Sequence, residues 1–396
     1  MHAAYLHIGL HKTGTTYFQH LMAANRSQLR EHGILYPGGE GRPNQHLAVL
    51  DLLGRRVVRA EDRRIAGAWS MLVEESRSVA ADLLVSEEHL SVARPAQVRQ
   101  AVSAFADDRE VHVVVTARDL ARVLVSAWHE EIKVGSSRPW KEFTTAVRDP
   151  ARVGTSPARG FYARQDLPAI LERWARVVPA ERIHVVTVPP RGAPTDLLVS
   201  RLGSVIGFEP AWLTQPAGWG NPAVGLLGTE LLRRLNPALS ELNQRQRDRV
   251  LKQVLARVLA KGVETVPLGV TGDELEWARE RAAAMIAAVR AGGYDVVGEL
   301  TDLDPQPVPG RSAQDVGDDE LLDAAVVALG GLAQRYATSW WSNKPTEDEL
   351  QGRSRDKLAS RLRAVTWGVR SRAARLADRN AVAGRALGVL MRRRSA

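Results

Sequence analysis

The chain is 396 residues long with 44% hydrophobic and 25% charged residues, the composition of an ordinary globular protein able to bury a large core. It has no cysteine, which excludes disulfides, thiolate metal sites and cysteine nucleophiles. The net charge of +9 is local: residues 353–396 hold thirteen Arg or Lys against Asp356 and Asp378, a net +11 that leaves −2 for residues 1–352, so the pI says little about any site in the body.

Residues 3–8 read as a short buried strand, 9–16 as a turn and 17–30 as a helix with Phe18, Leu21, Met22 and Leu29 at helical spacing. Strand material so close to Met1, in place of a basic region and an apolar stretch, predicts no signal peptide and a cytoplasmic protein. Further strands are predicted at 34–36, 83–86, 111–116 and 183–188, with helices at 94–106, 120–132 and 166–178 between them. This alternation predicts an α/β fold, a three-layer, doubly wound parallel sheet.

Residues 135–160 read as an excursion with a short helix near 139–148, and 189–194 as a loop. The chain then turns helical, at 195–206, 224–235, 240–260 and 273–291. The predicted organisation is one domain over 1–304, divided into a core (1–205) and a helical part (206–304), then a linker (305–318) and a helical appendage (319–396). In the appendage Leu358, Leu362, Val365, Val369, Ala373 and Leu376 form an apolar stripe flanked by arginines. That pattern fits either docking onto the body or peripheral contact with an anionic membrane. No apolar run is long enough to span a bilayer, and no specific nucleic-acid contact is expected.

Three stretches carry chemistry. The first is His7-Ile-Gly-Leu-His-Lys-Thr-Gly-Thr-Thr-Tyr17, between a strand and a helix. Gly9 and Gly14 allow close backbone approach, Lys12 is a cation, and Thr13, Thr15 and Thr16 are hydroxyl donors, as a phosphate-type anion requires at a helix start. Lys12 precedes the second glycine, so this is not a Walker A loop and an NTPase of standard type is disfavoured. The second is Arg118, at the end of the 111–116 strand, with Ser126 two turns along the next helix, a pair suited to a second phosphate. The third is Ser86-Glu87-Glu88-His89, after the 83–86 strand.

The first two stretches, in this order, resemble the P-loop-like sulfotransferases, and more narrowly a bacterial, chiefly actinobacterial branch. That branch also carries segments like Val188–Pro194 and Gly293–Gly298, and the resemblance covers residues 3–304. It implies that His11, Lys12, Thr13, Gly14, Thr15 and Thr16 hold the 5′-phosphosulfate of 3′-phosphoadenosine 5′-phosphosulfate (PAPS), with Tyr17 placed to stack on the adenine. It implies that Arg118 and Ser126 hold the 3′-phosphate. The third stretch then supplies the base that takes the acceptor's proton, with Glu88 preferred over His89, and His46 is a candidate for lining the acceptor site.

No metal is expected. The implied activity is transfer of a sulfuryl group to a hydroxyl or amine of a glycan, lipid or secondary metabolite. Two other functions fit the residues: a non-catalytic nucleotide- or anion-binding protein whose tail reaches membrane or nucleic acid, and a small-molecule kinase. Leu120 stands where many relatives have proline, and the Arg-Lys-Gly closing motif of cytosolic animal sulfotransferases is not recognisable, which leaves the rest of the 3′-phosphate and adenine site unassigned.

Overall fold

Six short runs, most of them rich in Val, Leu and Ile, pair as one all-parallel sheet in a computed structural model that describes residues 1–39, 41–55, 65–218 and 224–342. The strands are β1 (His2–His7), β2 (Ile34–Leu35), β3 (Asp82–Ser86), β4 (Arg109–Ala117), β5 (Ile183–Thr187) and β6 (Asp295–Val297). Their order is β2-β3-β1-β4-β5-β6.

Side chains alternate across the pleat and feed two cores. Leu6, Leu83, Val85, Val113 and Val115 join Trp128 and Trp174 on one face. Leu84, Val114 and Val186 join Phe18, Met22 and Leu202 on the other. Helices therefore cover both faces, in the α/β, three-layer arrangement expected. Those that matter for the site are α1 (Thr15–Ala24), α2 (Gln45–Leu52) and α3 (Leu120–Lys133). The later helices include α4 (Gln244–Asp248), α5 (Ala256–Gly262) and α6 (Asp318–Ser342).

The strand order places the site. From β1 the chain moves out to β2 and returns through β3, then crosses to the other side of β1 to form β4. The direction of winding reverses between β1 and β4, and open α/β sheets bind ligands at the carboxyl ends of strands at such a point. The loops after β1, β3 and β4 open there together.

Three local departures from the predicted elements have physical causes. The helix expected over 17–30 is broken at Asn25 and resumes over Arg26–Glu31, because the Asn25 side chain donates to Leu21 O (2.8 Å) and Gln215 O (2.7 Å) and accepts from Gln215 N (2.8 Å). The helix expected over 240–260 is interrupted by a π-helical stretch, Arg249–Leu255, between α4 and α5. A sixth strand, β6, runs parallel to β5 inside the Gly293–Gly298 segment.

Residues 305–318, expected as a linker, are bonded to the body: Val270 and Val308 exchange backbone bonds (3.0 and 3.3 Å), and Gly269 N donates to Arg311 O (2.9 Å). The basic tail lies in 343–396, outside the described residues. Among the described residues no helix is long and apolar enough to cross a membrane.

Candidate active site

The loop after β1 keeps strand-like pairing before it turns: Ile8 N donates to Val114 O and Leu10 N to Thr116 O, both at 2.9 Å. Gly9 (φ +47°) then passes so close to α1 that a Cβ would lie 2.7 Å from Thr15 Oγ1. Gly14 (φ +92°) starts α1 with no side-chain cap. Lys12 (φ +69°) is, among the described residues, the one non-glycine held in the left-handed region.

Thr13 and Thr15 are buried. Thr13 Oγ1 donates to Leu10 O (2.6 Å), so the 2.7 Å contact with Thr116 is donated by the Thr116 hydroxyl. Thr13 thus braces the loop, whereas Thr16 and Tyr17 are exposed at the start of α1.

His7 ties three strand ends together, with Nδ1 2.8 Å from Ser86 Oγ and Nε2 3.3 Å from Thr116 Oγ1. It is fully buried, and burial lowers its pKa to about 4 although Glu88 and Glu87 pull the other way. Burial, with Lys133 and Lys12, likewise lowers His129 to about 3. A buried neutral imidazole contributes stability that is fully present above its unfolded value of 6.5 and is lost as pH falls toward its folded value. From pH 7.5 to 5 each of the two histidines should therefore cost about 2 kcal/mol, read from urea unfolding at both pH values. Equal stability at the two pH values would refute this assignment.

The turn after β3 holds the acid–base groups. Glu87 N donates to His7 O (3.0 Å), which continues the strand pairing and turns the Glu87 side chain inward, where it is 4% exposed. Its Oε1 lies 2.5 Å from His89 Nδ1 and its Oε2 3.4 Å from His46 Nδ1. Burial opposes the charge on Glu87, but the two imidazoles outweigh it and hold its pKa at about 2. Glu88 points elsewhere, 3.2 Å from His11 Nδ1, and His11 outweighs burial to keep it below the usual carboxylate range.

His11 is pushed down by burial, against Glu88, and its Nε2 is buried without a partner. His46 is delivered by the first turn of α2: Asn44 caps the helix at Leu47 N, while Gln45 bonds Leu84 O (3.3 Å) and Ser86 N (2.6 Å). The rings of His11 and His46 each stand 5.3 Å from that of His89.

His46, Glu87 and His89 each offer a metal-ligating atom, and these atoms lie within 4.8 Å of one another. The 2.5 Å His89–Glu87 separation is that of a hydrogen bond.

On the other side of the loop, Arg118 Nη1 donates to Lys12 O (3.2 Å) while its Nε is buried without a partner. Burial, then neighbouring Arg122, lowers Arg118 to about 10 against the opposing pull of Asp119. Asp119 itself is engaged: it caps α3 at Arg122 N (3.0 Å) and pairs with the Arg122 guanidinium. Ser126 Oγ donates to Arg122 O (2.9 Å) and is half-buried. Lys12 Nζ reaches Glu130 Oε2 (3.4 Å), and Lys252 Nζ reaches Glu130 Oε1 (2.8 Å).

The expected residues thus fall into two groups around one loop, Arg118 by the Lys12 carbonyl, and on the other side Glu88 and His89 by His11 with His46 by Glu87 and His89. Sequence reasoning missed His7, Glu87, Thr116, Glu130 and Lys252. Glu87 was visible only as a polar neighbour of two candidates, and nothing in the sequence pairs Glu130 with Lys252.

No family model and no curated protein matches the chain. Among solved structures it is similar to the crystal structure of a sulfotransferase from Alicyclobacillus acidocaldarius, with TM-score 0.42 and 12% identity over 74% of this chain and 97% of that one.

Proposed function

We propose that the protein is a sulfotransferase that moves the sulfuryl group of PAPS onto an acceptor hydroxyl or amine. The observation that carries this reading is the unspent hydrogen-bonding capacity of Arg118, a part-buried guanidinium whose Nε is buried without a partner and whose Nη1 is bonded to the backbone of the Lys12 loop at the switch point of the sheet. A part-buried cation with no carboxylate within ion-pair distance among the described residues is suited to an anion that arrives with a ligand.

PAPS supplies an activated sulfuryl group on a good leaving group. Lys12 and the loop amides stabilise the charge that develops on the 5′-phosphate as its bond to sulfur breaks. Arg118 and Ser126 hold the 3′-phosphate. Across the loop, His89 donates Nδ1–H to Glu87, which leaves the Nε2 lone pair to accept the acceptor's proton as oxygen or nitrogen bonds to sulfur. Geometry thus favours His89 over Glu88, whose carboxylate is turned to His11. His46 lines the acceptor side, half exposed.

The test is whether Arg118 reads the 3′-phosphate. Arg118→Ala should lose about 1.5–3 kcal/mol of the preference for adenosine 3′,5′-bisphosphate over adenosine 5′-phosphate, measured by calorimetry with each ligand. Equal losses for both ligands would make Arg118 structural. A wild-type preference for ATP with magnesium would favour a kinase instead.

A further inference from the structure

Glu130 lies on α3, one turn beyond Ser126, where three ammonium groups converge. Lys252 (2.8 Å) and Lys12 (3.4 Å) donate to its two oxygens, and Lys133 acts on it as well. Burial opposes its charge, and the lysines outweigh burial to hold it below the usual carboxylate range. One carboxylate neutralises one ammonium, so Lys12, Glu130 and Lys252 together keep one positive charge in excess beside the Lys12 loop. Like charges held this close repel, a cost repaid when an anion binds among them.

Lys252 arrives from an unusual element. It is carried by the π-helical stretch Arg249–Leu255, in which Leu251 and Leu255 are buried while Lys252 is part-exposed. Wide turns of this kind are uncommon and recur at functional sites, because they re-aim a side chain that regular helix would send elsewhere. The side chains of Lys12, Glu130 and Lys252 are 32%, 32% and 27% exposed, so a ligand can reach all three.

We infer that Lys252 is a further cation of the donor site, and that Glu130 is a built-in anion that holds Lys12 and Lys252 until a phosphate- or sulfate-bearing ligand takes them over. The inference rests on the reading of the Lys12 loop as an anion site.

Removing the internal anion should strengthen binding, the opposite of what loss of a structural salt bridge does. By calorimetry at low ionic strength, Glu130→Gln should bind inorganic pyrophosphate and adenosine 3′,5′-bisphosphate about five- to tenfold more tightly than wild type. Adding Lys252→Gln to Glu130→Gln should then weaken both ligands by about tenfold. That background matters, because in the wild type Lys252 also competes with Lys12 for Glu130.

Unchanged or weaker binding by Glu130→Gln overturns the inference, as does a silent Lys252→Gln in the double variant or no anion binding by the wild type. If Glu130→Gln does not fold, the salt dependence of binding is compared between wild type and Lys252→Gln. A flatter dependence in the variant supports a ligand contact, and an unchanged one overturns it. If the pattern holds for pyrophosphate without any preference for the 3′,5′-bisphosphate, the cation cluster stands and the PAPS reading falls.

Discussion

His89→Asn should lower turnover about 10²–10⁴-fold, the usual worth of a general base, while affinity for adenosine 3′,5′-bisphosphate stays within about twofold of wild type. The reason is the division of labour in the turn after β3. Glu87 accepts from His89 Nδ1 at 2.5 Å and fixes which nitrogen carries the proton, whereas Glu88 is spent on His11 at 3.2 Å. Glu87 is a positioning residue in this scheme. Glu87→Gln should lose most of the turnover without loss of donor affinity, and Glu87→Asp should restore part of it, which a merely destabilising change would not show. Glu88→Gln should cost far less than His89→Asn. The reverse order would make Glu88 the base, and small effects from both would pass the role to His46.

Lys12→Ala should depress two reactions together, by about 10²–10³-fold: transfer to an acceptor, and slow hydrolysis of PAPS to adenosine 3′,5′-bisphosphate. The ammonium acts on the leaving group, so the identity of the nucleophile should not matter. Hydrolysis can be followed before any acceptor is known, by chromatographic separation of the two nucleotides. Hydrolysis at the wild-type rate in Lys12→Ala, with transfer abolished, would instead place Lys12 on the acceptor side.

The halves of this site differ in how far the sequence discloses them. Lys12 and Arg118 sit in local patterns, a glycine-bounded turn after one strand and the end of another, Val-rich one, and strand–helix alternation brings such ends together. Glu87, Glu88 and His89 are consecutive on a tight turn, so which points at His46 and which at His11 depends on how that turn meets α2 and the β1 loop. No period in the sequence encodes that. Glu130 and Lys252 are 122 residues apart and joined only by packing of the helical part against α3. β6 has three residues, too few for an alternation to register, and becomes a strand because β5 offers it an edge. The break at Asn25 needs a partner at Gln215, which no local rule supplies.

The left-handed backbone at Lys12 has a consequence for how this protein can be improved. A side chain in that region costs about 1 kcal/mol that glycine would not, and the cost is carried at the residue whose ammonium the proposed chemistry needs. Folding stability and catalytic power therefore pull in opposite directions at this one position. A selection for heat resistance that never measures turnover would drift toward Lys12→Gly, and its most robust survivors would be the ones that had lost the reaction.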